Sequence, residues 1–327
     1  MKTVVLGSGG WGTALSQILC DNGHETYLWS HSPAKAAEMA RTRENPLLQG
    51  VHLPESLHIT GDLGCLRGAD LVVSAPPSFA VRETAKKMAP YLTEKTVVVS
   101  VSKGIERDTN LRLSQVIQEE TENICKVAVL SGPSHAEEVG IRLPTGCVAA
   151  CLDVDAARFV QDAFMNDYFR VYTSGDVVGV ELAAALKNVI ALCCGVCDGL
   201  GYQDNTKALL MTRAMAEITR LGEKLGGSRQ TFGGLAGMGD LIVTCTSMHS
   251  RNLHAGMLIG RGKDVETAKK EVGQVVEGIN ALPAACKLAK KYKVEMPIVN
   301  AVDDILSGRL AARDALATMM GRQLKQE

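Results

Sequence analysis

The chain has 327 residues, of which 46% are hydrophobic and 22% charged, with a formal net charge of −1. The proportions suit an ordinary globular protein, and the length suggests two domains of about 150 residues each. The near-zero charge excludes a global field that would recruit nucleic acid or an anionic membrane, so any anion site must be built locally.

In chain order, Thr3–Leu6 reads as a strand, Trp11–Asn22 as a helix, Thr26–Trp29 as a strand and Pro33–Arg43 as a helix. Leu71–Ser74, Thr96–Val101 and Val127–Leu130 are apolar or β-branched runs of the kind that form parallel strands buried on both faces. Ala80–Ala89 and Leu111–Glu122 are helical in pattern between them. Gly146–Cys151 and Phe169–Thr173 extend the same sheet, with Val154–Met165 helical between. This alternation predicts an α/β fold with a Rossmann-like, doubly wound, mostly parallel sheet. The texture changes near Ser174-Gly175-Asp176. From there Val178–Val196, Lys207–Leu225, Leu253–Gly260, Val265–Lys270, Ile279–Lys290 and Ala301–Leu306 are helical, and strand patterns are scarce. The expected division is a dinucleotide-binding domain over 1–175 and an all-helical substrate domain over 176–327.

The apolar stretch at the N-terminus is too short for a signal peptide. The longest apolar run, Leu182 to Cys197, is interrupted by Lys187 and Asn188, so no bilayer span is expected. The expected location is the cytoplasm. Ten cysteines then read as free thiols. Cys194-Gly195-Val196-Cys197 matches C-x-x-C but lies in an apolar helical run without a second ligand pair, which favours packing as small apolar residues.

Gly7-Ser8-Gly9-Gly10-Trp11-Gly12 is a G-x-G-x-x-G match directly after a strand and opening a helix, the context that identifies a dinucleotide fingerprint. Gly7 permits the tight turn, Gly9 lets a pyrophosphate approach the backbone, and Gly12 lets helix and strand pack closely. The helix N-terminus supplies N–H groups and partial positive charge to the phosphates. At the end of the second strand, an acid would select NAD by binding the adenosine ribose. Here the residues are Trp29-Ser30-His31-Ser32. No acid repels a 2′-phosphate, Ser30 and His31 could hydrogen-bond it, and Lys35 or Arg41 could add charge. NADP is therefore the expected cofactor, with NAD the alternative.

Lys187 is the only charged residue between Glu181 and Asp198, and its helical neighbours are apolar. A buried lysine loses solvation, its pKa falls, and it suits proton transfer; alternatively its stem snorkels to the surface. Gly233-Gly234-Leu235-Ala236-Gly237-Met238-Gly239-Asp240 reads as a mobile or closely approached backbone ending in an acid that could pair with a lysine or orient a hydroxyl. After a further loop, Ser250-Arg251-Asn252 opens a helix, either as a phosphate clamp or as an N-cap serine beside a surface arginine. Ser102-Lys103-Gly104 and Gly132-Pro133-Ser134-His135-Ala136 follow the carboxyl ends of two strands, the edge where open α/β sheets bind ligands.

Taken in order with Ala185-Leu186-Lys187-Asn188-Val189-Ile190-Ala191, Thr244-Cys245 and Gln274-Val275-Val276-Glu277-Gly278, these motifs resemble the bacterial-type NAD(P)-dependent glycerol-3-phosphate dehydrogenases from Val4 to about Gly321. The resemblance implies reversible hydride transfer between NAD(P)H and dihydroxyacetone phosphate to give sn-glycerol 3-phosphate, supplying phospholipid precursors. It implies that Lys187 is the proton acceptor in oxidation and the donor in reduction, and that Lys103 contacts substrate and cofactor. Gly132, Ser134, Asp240, Ser250, Arg251 and Asn252 would line the substrate, with Asp240 also holding the lysine. Gly10, Trp11, His31, Ala136, Arg251, Val275 and Glu277 would contact the cofactor. Gly10 departs from the family, which usually has a small polar residue there; the backbone N–H remains. No nucleic-acid or membrane partner is expected, and the helical domain offers a surface for a homodimer. The alternatives are a related two-domain hydroxy-acid dehydrogenase and a non-catalytic NAD(P)-binding sensor, which would not need Lys187, Asp240 and Arg251 together.

Overall fold

The structure is a computed structural model that describes residues 1–321. Its first part alternates strands β1 (Lys2–Leu6), β2 (Glu25–Trp29), β3 (His58–Thr60), β4 (Leu71–Ser74), β5 (Val97–Ser100), β6 (Lys126–Ser131), β7 (Thr145–Ala150) and β8 (Phe169–Ser174) with helices α1 (Gly10–Asp21), α2 (Pro33–Thr42), α3 (Val81–Met88), α4 (Leu113–Glu120), α5 (Ala136–Gly140) and α6 (Val154–Phe164). The eight strands form one sheet in the order β3-β2-β1-β4-β5-β6-β7-β8, parallel throughout except for the β6–β7 pair. Every residue of β4 and β5 is buried, as their unbroken apolar runs require of central parallel strands. Val5, Val73 and Val99 face one apolar layer, while Val4, Val72 and Val98 face the other. The strand order reverses between β1 and β4, which opens a crevice at their carboxyl ends. β3 carries no sequence signal because its three edge residues include a single apolar one, Ile59.

The second part is helical: α7 (Val177–Gly199), α8 (Asp204–Lys224), α9 (Arg229–Gly233), α10 (Asp240–Thr246), α11 (Arg251–Gly260), α12 (Val265–Val272), α13 (Glu277–Tyr292), α14 (Pro297–Leu306) and α15 (Ala312–Met320). α9, α10 and α15 lie outside the helices expected from sequence. Of the two readings of the glycine-rich segment, mobile or closely approached, the structure shows the second, as one π-helical turn, Leu235–Gly239, whereas the loop expected after Asp240 is α10. A Cβ on Gly237 would sit 2.1 Å from the Phe232 carbonyl oxygen, so glycine permits the tight return, while burial of Leu241 and Cys245 secures the helix behind it.

α7 is the axis of this part. It is the one helix among the described residues long and apolar enough to cross a bilayer, yet 94% of its most apolar window is buried by the surrounding chain. Cys194 and Cys197 pack in this core. α11 crosses α7 at backbone contact: a Cβ on Gly195 would lie 2.1 Å from the Leu253 carbonyl oxygen, and one on Gly256 would lie 2.1 Å from that of Leu192. At its other end α7 grips the sheet layer. The buried Glu181 carboxylate accepts from the Ser114 backbone N–H (2.8 Å) and hydroxyl (2.5 Å) and from Arg112 (2.5 Å), capping the N-terminus of α4.

We predict that Gly195→Ala forces the two helices apart and destabilises the protein by about 1–3 kcal/mol. Gly233→Ala, which adds a methyl where nothing lies within 4 Å, should leave thermal unfolding unchanged. Equal melting temperatures for the two variants would contradict the close α7–α11 crossing.

Candidate active site

The fingerprint turn joins β1 to α1 at the β1–β4 crevice. Gly7 has φ 125°, and a Cβ there would meet the Ala75 carbonyl oxygen at 2.6 Å, so only glycine makes the turn. A Cβ on Gly12 would lie 2.1 Å from the Gly7 carbonyl oxygen. Gly9 has nothing within 4 Å of its Cβ direction, leaving its backbone open to a phosphate. Gly10 starts α1, and a Cβ there would strike the Leu47 carbonyl oxygen at 2.6 Å. Glycine at this position is therefore imposed by the segment folded over it. Asn45 fastens that segment by donating to the Ser8 carbonyl (3.1 Å) and the Thr13 hydroxyl (2.7 Å). Trp11 next to Gly10 has a buried indole N–H without a partner among the described residues. Ala136, at the start of α5, abuts Gly10.

The ribose end differs from expectation at two residues. Ser30 is fully buried and accepts from the Ser8 hydroxyl at 2.9 Å, so it braces the fingerprint rather than facing a phosphate. Arg41 lies in the last turn of α2, about 12 Å along the helix from its first residue at a rise of 1.5 Å per residue. It is too far along to reach a group bound at the end of β2. Exposed His31 remains at that end, as does Lys35 in the first turn of α2, whose ammonium donates to the Ser8 carbonyl at 3.3 Å. Partial burial lowers the Lys35 pKa.

Lys103 follows β5, Gly132 and Ser134 follow β6, Lys187 comes from the middle of α7, and Asp240 opens α10. The fold brings them into contact. Asp240 Oδ2 accepts from Lys103 Nζ at 2.7 Å and Oδ1 from Lys187 Nζ at 2.5 Å. Lys103 also donates to the Gly132 carbonyl (3.1 Å), which accepts from the Ser134 hydroxyl as well (2.9 Å). The Lys187 side chain is 6% exposed and Asp240 1%, whereas Lys103 at 18% forms the open side. Lys187 is thus buried and paired rather than snorkelling. Burial, reinforced by the like charge of Lys103 and opposed by Asp240, lowers its pKa to about 8. Burial alone would raise the Asp240 pKa, but the two ammonium groups outweigh it and hold the carboxyl below its usual range.

Thr244 was not given a role from sequence. One turn after Asp240, its hydroxyl lies 2.5 Å from Lys187 Nζ and donates to the Asp240 carbonyl at 2.6 Å. Its signal was the four-residue spacing, legible only once this segment is helical.

Most of the remaining predicted polar side chains are engaged with other parts of the chain. Ser250 caps α11, its hydroxyl accepting from the Leu253 N–H at 3.2 Å. Asn252 is buried, donating to Asn188 Oδ1 (3.0 Å) and accepting from the Gly278 N–H (2.8 Å). Arg251 is exposed and reaches Gln274 at 3.4 Å; Val275 is half-buried beside it in sequence. The Glu277 carboxylate accepts from the Ser78 N–H (3.0 Å) and hydroxyl (2.6 Å), joining α13 to the turn after β4 close to Gly104. His31 touches none of these groups.

Residues 2–157 match the N-terminal region of NAD-dependent glycerol-3-phosphate dehydrogenase, and residues 176–317 match its C-terminal region. The chain is 51% identical to glycerol-3-phosphate dehydrogenase [NAD(P)+] 2 of Lactobacillus delbrueckii subsp. bulgaricus, over 100% of this chain and 98% of that one. It is 50% identical to the glycerol-3-phosphate dehydrogenase [NAD(P)+] of a Thermoanaerobacter species, over 100% and 99%. The crystal structure of glycerol-3-phosphate dehydrogenase from Coxiella burnetii superposes with a TM-score of 0.94 at 34% identity, covering 98% of this chain and 99% of that one. A fingerprint turn at the β1–β4 crevice, a buried lysine–aspartate–lysine cluster at the sheet edge, and two family matches that together span most of the sequence agree, and the chain belongs to the NAD-dependent glycerol-3-phosphate dehydrogenase family.

Proposed function

We propose that the chain reduces dihydroxyacetone phosphate to sn-glycerol 3-phosphate, reversibly, with NADPH or NADH, and thereby supplies glycerophospholipid synthesis. The observation that carries this reading is the Lys103–Asp240–Lys187 cluster at the carboxyl edge of the sheet, where a Rossmann-like fold presents its ligands. In this reading residues 1–175 hold the dinucleotide and residues 176–327 the substrate. The protein acts in the cytoplasm on small molecules, without nucleic acid or membrane, as a homodimer.

The cofactor fits the residues present: Gly7 and Gly12 permit the tight turn, Gly9 leaves its backbone open to a phosphate, and the N–H groups of Gly10 and Trp11 open a helix toward it. Ala136, Val275, Glu277, Arg251 and His31 complete its surroundings. When bound, the nicotinamide supplies or accepts the hydride. Lys187 gives a proton to the carbonyl oxygen of dihydroxyacetone phosphate and takes it back in oxidation. Lys103 adds positive charge where the oxygen becomes negative. Asp240 and Thr244 hold Lys187 in place. Arg251, with Ser250 and Asn252 shaping the start of α11, binds the phosphate, while Gly132 and Ser134 wall the opposite side. Phosphate binding orients the reacting carbon.

The direct test is oxidation of NADPH and of NADH with dihydroxyacetone phosphate, against unphosphorylated dihydroxyacetone. Turnover that needs the phosphate is expected; turnover without it would redirect the assignment to another ketone. Lys187→Met should lower kcat about 10³-fold with cofactor affinity retained; an unaltered kcat would remove the lysine from the proton transfer.

The pH dependence has a definite sign. Oxidation needs the neutral amine of Lys187, so its rate rises with pH through about 8, whereas reduction needs the ammonium and falls through the same limb. Lys103→Gln removes a like charge and should move the limb up; Asp240→Asn removes the opposite charge and should move it down. Limbs that stay in place in both variants would mean that another group titrates.

NADPH is the proposed preferred cofactor, because the end of β2 offers His31 and Lys35 and no acid. Lys35→Gln should cut the NADPH:NADH ratio of kcat/KM roughly tenfold by removing one charged contact. An unchanged ratio would confine Lys35 to bracing Ser8.

A further inference from the structure

His135 follows Ser134 at the N-terminal boundary of α5, yet its side chain leaves the sheet layer and crosses to the helical part. The half-buried ring is held on two sides. Nε2 lies 3.3 Å from the Val243 carbonyl oxygen, within α10, the helix that also carries Asp240 and Thr244. A carbonyl only accepts, so Nε2 bears the proton in this bond. On the other side the ring meets that of His249, tilted by 53° with centroids 5.8 Å apart, an arrangement usual for attractive aromatic pairs. His249 lies in the turn directly before Ser250-Arg251, where α11 begins. Among the described residues, the His135–Val243 contact is the one hydrogen bond by which the segment 132–136 reaches the helical part. Burial holds the imidazole pKa below its ordinary value; the nearby Lys187 and Lys103 act in the same direction, and the Val243 carbonyl and Glu137 oppose them. The ring therefore adds no third positive charge to the lysine cluster at neutral pH.

We propose that His135 is a positioning residue whose imidazole fixes the spacing between the Gly132–Ser134 wall, α10 and the turn ahead of Arg251. The proposal rests on the reading of the site as one that reduces dihydroxyacetone phosphate. In that reading the start of α11 holds the phosphate, and Lys187, braced by Asp240 and Thr244 of α10, faces the reacting carbonyl. One side chain that touches both α10 and the approach to α11 keeps the two ends of the substrate in register. Phosphate binding then orients the carbonyl, and small misplacements are costly to the rate. Without the ring the phosphate still binds, but less of its binding is converted into orientation. The loss falls on kcat and is specific to the phosphorylated ketone.

Steady-state rates of the full chain with dihydroxyacetone phosphate and with unphosphorylated dihydroxyacetone, at saturating NADPH, test this. His135→Ala should lower kcat for the phosphorylated ketone with little change in its KM, and the loss should be about tenfold greater than for the unphosphorylated one. His135→Gln offers a neutral N–H donor at comparable reach and should restore that kcat to within about threefold. His249→Ala removes only the ring contact, at an exposed residue, and should lower the preference for the phosphorylated ketone about threefold. The pH limb that Lys187 sets at about 8 should stay in place in all three variants, because none removes a charge near it at that pH. Equal losses for the two ketones in His135→Ala would overturn the proposal, since the ring would then serve stability alone. A raised KM for NADPH would also overturn it, placing the effect on the cofactor turn through Ala136, and so would a shifted limb, which would make the effect one of charge. An unaltered chain without phosphate-dependent turnover would overturn the reading of the whole site and this proposal with it. Phosphate-dependent turnover that His135→Ala leaves fully intact would overturn this proposal alone.

Discussion

Asp240 is the point at which the two halves of the chain meet chemically. Its two carboxylate oxygens each hold an ammonium, one from the loop after β5 and one from the centre of α7. Burying any of the three alone would be costly, since an isolated charge in a low-dielectric interior loses its hydration. Together they leave one net positive charge, closed on the Lys187 side and open on the Lys103 side. The balance keeps Asp240 ionised and leaves Lys187 able to exchange a proton near neutral pH. A carboxylate that paired only one lysine would keep it protonated near neutral pH, leaving little free amine to accept a proton.

Such a cluster works only if α7 cannot move relative to the sheet, and the surrounding structure meets that need at three places. Glu181 caps α4 and pairs with Arg112, fixing the first turns of α7 to the sheet layer. Asn188, next to Lys187, is tied through Asn252 to the backbone of Gly278. Glycines on α7 and α11 let the helices touch at their backbones, so the far half of α7 is clamped as well. The hydrophobic run that makes α7 resemble a membrane span is the consequence: a helix surrounded on all sides by other elements has no polar face.

The cofactor end uses the same economy of close contact. Gly7, Gly10 and Gly12 each sit where a methyl group would overlap a carbonyl oxygen, and Asn45 locks the covering segment onto the turn. Only Gly9 faces open space. The turn is rigid everywhere except at the surface offered to a phosphate, which is how a backbone site avoids the entropy of ordering on binding.

The sequence by itself determined most elements of the fold. Buried parallel strands are unbroken apolar runs, surface helices repeat every 3.6 residues, and a glycine fingerprint between strand and helix has one physical use; these are local properties, visible in any window of ten residues. A lone lysine in an apolar helix likewise marked Lys187. What the tertiary structure decided was everything that depends on residues distant in the chain. It turned Ser30 inward onto Ser8 and gave β3 a partner that its own composition does not request. It made a helix of Asp240–Thr246 because Leu241 and Cys245 have a core to enter, and so aimed Thr244 at Lys187. Asp240 lies 53 residues from Lys187 and 137 from Lys103. No local pattern encodes such separations, because the pairing arises from packing of the whole apolar core, and only then do the charges left inside it find one another.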